Sequence, residues 1–519
     1  MPAPTSPAPT LPAPSLAALI DRLALERPTS VALRWHDPGQ GTPPDVHWAC
    51  LSFHALAQRA LAISHMLAGT HGVQAGDRVA WLGLNHPAQI ALLFALARLG
   101  ALLVPLNHRL APAEWSAVLR DCTPALLLHD DALADAAQSL VQQTTATAAL
   151  PVHAFAPEPV DTPDMPCTGT ADHPVLLVYT SGTTGAPKGA VHTQGNLLAN
   201  MAIAAQVQGL SERDTVLTVL PLFHVGGLCI QTLPALSVGA QVLLHARFDA
   251  TATLQAIERE RPSLTLQVPA TLQALTAHAA WAGTDLSGLR AIWAGSSLLP
   301  APLVEAVHAR GVPVCNVYGS TETGPFSIAL APGHSTSHLG SCGWPAPGVE
   351  VTLRDPKGQP VNDGEVGEVW VRAPNVVRHY WPDLPACDAG GFFHSGDLAQ
   401  QAPDGSFTVV GRAKDMLISG GENIYPAEIE NLLAQHPLVA ECAVIGQADA
   451  RWGEAVVAVV VLRDGANGDW AATLQAFLDG RLARYKWPRR WQRLDALPKT
   501  ALGKVQKPAL KALLAEIPA

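Results

Sequence analysis

Two hydrophobic rhythms divide the chain. From about residue 30 to 345, short runs of β-branched and leucine residues alternate with longer Ala/Leu-rich stretches. "DRVAWLGL", a helical run beginning near His86 and "ALLVPL" form one series; "DTVLTVLPL", a helix, "AQVLLH", "ATATLQAIERERP" and "LTLQVP" form another. Such alternation predicts βαβ units, and hence mostly parallel sheets covered by helices. The most apolar run, "AQIALLFALARLGALLVPL" (88–106), is interrupted by Arg98 and Gly100. It predicts a buried helix followed by a strand, not a membrane span. From about 346 to 411 the texture changes to turn-punctuated strands ("VEVTLRDPKGQPV", "GEVGEVWVRA", "GSFTVVGR"), a smaller β-rich subdomain. Beyond Gly411 the pattern is α+β, with "PAEIENLLAQH" helical and "AVVAVVVL" a strand. The expected fold class is therefore α/β and α+β. Its expected parts are a disordered tail (1–14), a large N-terminal domain of layered βαβ sheets (15–411), a connector (412–415) and a small C-terminal domain (416–519).

Composition narrows the picture. A chain of 519 residues with 48% apolar and 15% charged side chains exceeds one core but suits several. Its net charge of −10 argues against a general nucleic-acid binder. Yet between Arg481 and Lys511 ten Lys and Arg face a single acid, Asp495. That stretch is either a solvated surface or a dock for a polyanionic substrate. The eight cysteines lack metal or C-x-x-C spacing, which fits free thiols in a reducing compartment. "MPAPTSPAPTLPAP" has neither the basic nor the apolar region of a signal peptide, so a cytoplasmic location is expected.

The densest chemistry lies in "YTSGTTGAPKGA" (179–190). A buried strand, "HPVLLVYT", precedes it and a helical run, "GNLLANMAIAAQ", follows. A strand, a glycine-rich turn and a helix form a phosphate cradle, because glycines admit close approach and free N–H groups and hydroxyls supply donors. Lys188 adds a point charge. Pro187 and Gly189 exclude a Walker A loop, which needs Gly and a hydroxyl there.

Further segments occur in order: "PLFHVGG" (221–227), "AGSSLLP" (294–300), "YGSTETG" (318–324), "HSGDL" (394–398), "GRAKDMLISGGENIYPAEIE" (411–430) and "PKTALGK" (498–504). With the glycine-rich loop, the set resembles the adenylate-forming superfamily: acyl-CoA and aryl-CoA synthetases, nonribosomal-peptide adenylation domains and beetle luciferases. The resemblance spans nearly the whole chain from about residue 20.

It implies a two-step ligase. A carboxylate attacks the α-phosphorus of Mg·ATP and expels pyrophosphate; a thiol, here coenzyme A, then attacks the acyl-adenylate and expels AMP. By this resemblance Thr180, Ser181, Gly182, Thr183, Thr184, Gly185 and Lys188 cradle the phosphates. Gly295, Ser296, Asn316, Tyr318, Gly319 and Thr321 line the nucleotide site. Asp397 and Arg412 grip ribose, and Thr180 and Glu322 offer the hard oxygens that Mg²⁺ prefers. Lys504 stabilises charge during adenylation, so Lys504, Glu322, Thr184 and Lys188 are the expected catalytic set. The acyl pocket is assigned to His224, Val225, Gly226, Gly227, Gln267, Gly319 and Ser320. Lys414 matches a hinge about which the small domain rotates between steps. Gly420, Gly421 and Glu422 would then admit the pantetheine arm, and Arg484, Lys486 and Arg489 would meet the nucleotide of CoA.

The acid is expected to be a medium- or long-chain fatty acid or an arylpropenoate such as ferulate, and the alternative is loading of a carrier protein. A catalytically dead scaffold is disfavoured because Thr184, Lys188, Glu322, Asp397 and Lys504 are all present. A nicotinamide dehydrogenase is disfavoured because "GLNHPA" is no G-x-G-x-x-G. Expected partners are small molecules, with no nucleic acid, no integral membrane segment and a possible homodimer.

Overall fold

The computed structural model describes residues 13–35, 48–144, 148–155, 163–180, 187–295, 299–419, 422–449, 451–463, 468–500 and 503–515. Residues 1–12 of the expected tail lie outside this set, and Ala13 already packs against the core. Two largely parallel sheets carry the first part of the chain. In the nine-stranded one, Val314–Tyr318, Ala291–Gly295, Leu264–Gln267, Thr215–Thr218 and Gln241–Leu244 are parallel neighbours in that order. The eight-stranded sheet is parallel from Ala149–Pro151 through Pro174–Thr180 and antiparallel beyond it.

The apolar run behaves as its pattern predicts. Pro at N1 and Gly100, at φ 73°, bound the helix Pro87–Leu99, and Leu102–Leu106 follows as a strand. Pro87 to Arg98 are all buried, as a helix apolar on every side requires. Val79 and Trp81 from one sheet and Val242 and Leu244 from the other share its apolar cluster, so the helix fills the space between the two layers. Arg98, its one charge, meets Asp21 at 2.5 Å. Among the described residues no helix is long and apolar enough to cross a membrane.

The turn-punctuated region forms an antiparallel sheet of Glu350–Arg354, Val366–Arg372, Phe393–Gln401 and Phe407–Arg412. The C-terminal part folds around a five-stranded sheet, and its two apolar clusters draw only on residues from Leu417 to Leu514. Between these bodies lies one 3₁₀ turn, Ala413–Asp415.

One local expectation is corrected. The glycine-rich loop does not run directly into a helix. Lys188–Thr193 is a strand that pairs antiparallel with Pro174–Thr180, and the helix Gln194–Gln208 begins only after it. Val191 and His192 are buried with their strand partners Leu177 and Leu176, so tertiary burial outweighs the loop character suggested by Gly189 and Ala190. The described residues on either side of the loop, Pro174–Thr180 and Lys188–Thr193, pair antiparallel, and residues 181–186 lie outside the described set.

Candidate active site

In open parallel sheets, ligands bind beyond the carboxyl ends of the strands. Here the strands Leu264–Gln267, Ala291–Gly295 and Val314–Tyr318 end side by side, with Gln267 opposite Ala294 and Gly295 opposite Val317. Three expected site positions, Gln267, Gly295 and Tyr318, are therefore strand-end residues on one edge.

Tyr318 reaches the β-rich subdomain. Its hydroxyl donates to Asp397 Oδ2 at 2.9 Å, while Arg412 Nε meets Asp397 Oδ1 at 2.6 Å. Asp397 and Arg412 are cross-strand partners, which places the guanidinium beside the carboxylate without a long reach. Asp397 is only 8% exposed, and burial raises its pKa against the pull of Arg412, Tyr318 and Lys504. Asn316 donates to the Ser341 carbonyl at 3.2 Å, beside this group.

Lys504 comes to the same place from the C-terminal body. The turn that carries it closes through Thr500 N–H to the Lys504 carbonyl (2.7 Å) and Gly503 N–H to the Thr500 carbonyl (2.8 Å). Gly503 has φ +80°, and a Cβ there would come within 3.0 Å of the Ala270 side chain, so the turn lies against the helix Pro269–Thr276. Burial and the nearby Arg412 lower the Lys504 pKa, while Asp397 and Asp415 partly restore it. Lys504 is exposed as a residue, yet protein crowds its ammonium enough to disfavour the charge.

On the phosphate side, Thr180 and Lys188 face each other across the hairpin base. The Lys188 ammonium sits 5.5 Å from the centre of the Tyr380 ring, and the Tyr380 hydroxyl donates to Glu322 Oε1 at 3.0 Å. Tyr380 thus ties loop lysine to acid, a link that sequence reasoning missed. Nothing in "VVRHYW" marks it, because its place comes from pairing with Ala190 on the hairpin. Glu322 and Thr180 carry hard oxygens of the kind Mg²⁺ takes, and the Thr180 hydroxyl donates to the Lys188 carbonyl at 3.4 Å. Replacing Tyr380 by Phe is expected to lower kcat/KM for Mg·ATP about tenfold and to raise the magnesium needed for half-activity. A magnesium titration unchanged in Tyr380→Phe would refute that role.

The acyl candidates converge in part. An apolar cavity is lined by His224, Gly226, Gly227 and Gln267, together with Leu220, Pro221, Ile230, Leu266, Val268 and Gly295. Val225, Gly319 and Ser320 are not in its wall. A Cβ on Gly319 would fall 1.9 Å from the Pro325 carbonyl oxygen, so that glycine serves the tight "YGSTETG" turn. A Cβ on Gly227 would lie 2.3 Å from the Pro221 carbonyl oxygen. His224 accepts from Gly226 N–H at 3.0 Å, and burial lowers its pKa to about 4, so it is neutral at pH 7. A second residue missed in sequence holds this loop. Asn85 donates to the carbonyls of Leu220 and His245 at 3.0 Å each and accepts from Leu222 N–H at 2.7 Å.

The basic CoA candidates each engage a neighbour in the C-terminal part of the chain. Lys486 is bound to both oxygens of Glu428 at 2.7 Å, Arg484 lies 3.4 Å from Asp479, and Arg489 stacks on Trp452 at 3.6 Å. Lys414 and Glu422 are exposed. Ser181, Gly182, Thr183, Thr184, Gly185, Ser296, Gly420 and Gly421 lie outside the described residues.

Comparison with known proteins gives concordant matches. The AMP-binding enzyme family matches residues 21–381, and the AMP-binding enzyme C-terminal domain matches residues 428–504. An indoleacetate–CoA ligase of Aromatoleum aromaticum is 47% identical over 462 residues, covering 86% of this chain and 89% of that one. A feruloyl-CoA synthase of an Amycolatopsis species is 42% identical over 461 residues, covering 88% and 92%. Among solved structures, an anthranilate CoA ligase in complex with anthranoyl-AMP superimposes with TM-score 0.88 at 28% identity, covering 98% of this chain and 99% of that one. The o-succinylbenzoate CoA synthetase of Bacillus subtilis, solved with ATP and magnesium, superimposes with TM-score 0.84 at 30% identity, covering 96% and 99%.

Proposed function

The chain belongs to the AMP-binding enzyme family and is an AMP-forming acid–CoA ligase using ATP, CoA and Mg²⁺; from that premise we propose that its acid is an aryl acid of arylacetate or arylpropenoate size, with a fatty acid as the second reading. The observation that carries this is the cavity at the end of Leu264–Gln267, walled by Leu220, Ile230, Leu266 and Val268 with His224 and Gln267 as its polar side chains. Relatives named for indoleacetate and ferulate support an aromatic occupant. A ligase named for medium- and long-chain fatty acids, from Mycobacterium tuberculosis, is 36% identical over 369 residues and keeps the second reading in view.

In the reading we favour, Asp397 and Tyr318 hold ribose, with Arg412 fixing the aspartate. Thr180 and Glu322 would hold Mg²⁺, which supplies charge neutralisation on the phosphates. Lys188 meets the phosphates, and Lys504 stabilises negative charge as the carboxylate oxygen bonds to the α-phosphorus and pyrophosphate leaves. The small domain, with its boundary at residues 412–415, then rotates about Lys414 to clear a path for the CoA thiol. The thiol's sulfur bonds to the acyl carbon as AMP departs. Lys486 would have to leave Glu428 before it could meet a phosphate of CoA.

The test is to supply Mg·ATP, CoA and a panel of indole-3-acetate, ferulate, 4-hydroxycinnamate, benzoate, octanoate and palmitate, with AMP and thioester measured together. A kcat/KM at least tenfold higher for an aryl acid than for octanoate or palmitate is the expected result. The reverse order would replace the aryl reading with the fatty-acid one. AMP without thioester would point to a carrier-protein acceptor.

A further inference from the structure

The wall of the acyl cavity carries a buried side-chain amide whose bonding is incomplete. Gln267 is wholly buried, its Nε2 donates to Thr265 Oγ1 at 3.0 Å, and its Oε1 has no hydrogen-bond partner. Which end of this amide faces Thr265 follows from the Thr265 hydroxyl. That hydroxyl gives its single hydrogen to the Leu217 carbonyl at 2.9 Å, so toward Gln267 it can only accept. With its NH₂ on Thr265, Gln267 keeps its carbonyl oxygen unpaired. A buried acceptor left this way costs free energy, and such atoms in folded proteins call for an explanation.

Leu220, Ile230, Leu266 and Val268 in the same wall are apolar, and neutral His224, its Nδ1 accepting from Gly226 N–H, is the other polar side chain there. The strand register fixes the glutamine, since Gln267 pairs with Ala294 in the middle of the parallel sheet. The acceptor is thus preorganised on a rigid element.

We infer that Gln267 Oε1 is a specificity contact that accepts a hydrogen bond from an N–H or O–H on the body of the acid, so that the enzyme selects donor-bearing aryl acids over hydrocarbon ones. This rests on the reading of the cavity as the aryl-acid site. An acid that lacks the donor leaves the oxygen unsatisfied in the complex, whereas one that carries it removes an existing cost. Discrimination of about tenfold or more follows from one such contact.

The experiment compares matched acids on the full-length protein. Indole-3-acetate is paired with 1-benzofuran-3-acetate, where oxygen replaces N–H, and 4-hydroxycinnamate with 4-fluorocinnamate. kcat/KM is read from AMP release for wild type and for Gln267→Met, whose side chain has similar length without the amide. The expected result is a preference for the donor of about tenfold or more in at least one pair, falling to near unity in Gln267→Met with the donor-free acid still used. Equal use of the two members of both pairs by wild type overturns the assignment, whether or not Gln267→Met folds. So does a wild-type preference that survives unchanged in the folded variant. Turnover of octanoate but of neither aryl pair overturns the aryl reading itself, and this assignment with it.

Discussion

Lys504→Ala is expected to lower acyl-adenylate formation at least about a hundredfold, the scale seen when one preorganised charge-stabilising group is removed. Thioester formation from preformed acyl-AMP and CoA should keep most of its rate. The asymmetry follows from position. The Lys504 ammonium shares its surroundings with Arg412 and Asp397, and its turn abuts Ala270, two residues past the wall residue Val268. It thus lies beside Arg412 and Asp397 on a turn that abuts the helix Pro269–Thr276, where in the proposed reaction carboxylate and α-phosphate would meet. Its pKa gives a second signature. Burial and Arg412 hold it below the ordinary 10.5. The ammonium is complete below its folded pKa and lost as pH rises through it, so the alkaline limb of adenylation should fall below 10.5. Pyrophosphate release followed against pH measures this in kcat/KM. Equal losses in both half-reactions would remove Lys504 from its assigned step.

Asp397→Ala should behave differently, impairing both half-reactions because ATP and acyl-AMP share a ribose. The substitution also strands two groups. The Tyr318 hydroxyl loses its 2.9 Å acceptor, and Arg412 loses its 2.6 Å partner in a site where the carboxylate is nearly buried. A loss of about 2–3 kcal/mol in stability is expected, less than for a fully buried pair because the Arg412 side chain is 35% exposed. KM for ATP should rise about a hundredfold or more. Urea denaturation and an ATP titration on the same preparation separate the two effects. Asp397→Asn, which keeps an acceptor for Tyr318, should recover more stability than ATP affinity. Unchanged KM for ATP in Asp397→Ala would place the ribose elsewhere.

The elements that hydrophobic rhythm foretold are those in which pattern and burial agree. Pro87–Leu99 and Leu102–Leu106 lie where the apolar run placed them, and the turn-punctuated texture from about 346 corresponds to a separate, wholly antiparallel sheet. The ordered motifs likewise named Asp397, Arg412, Tyr318 and Lys504, which the fold draws into one cluster from distant parts of the chain. The exception, Lys188–Thr193, shows where local pattern ends. Glycine and alanine there suggest a loop, yet pairing with Pro174–Thr180 makes a strand.

Periodicity and ordered motifs, both local properties, determined the layered α/β architecture and the family. Only the tertiary structure decided the partners. Tyr380 reaches Glu322 because its strand pairs with the hairpin, and Asn85 holds the His224 loop from more than a hundred residues away. Gln267 was legible as a pocket residue but not as a lone acceptor. That depends on where the Thr265 hydroxyl sends its one hydrogen, and the Leu217 carbonyl reaches it only once the two strands lie side by side. Hydrogen-bond satisfaction is a sum over neighbours in space, and a sequence orders residues only along the chain.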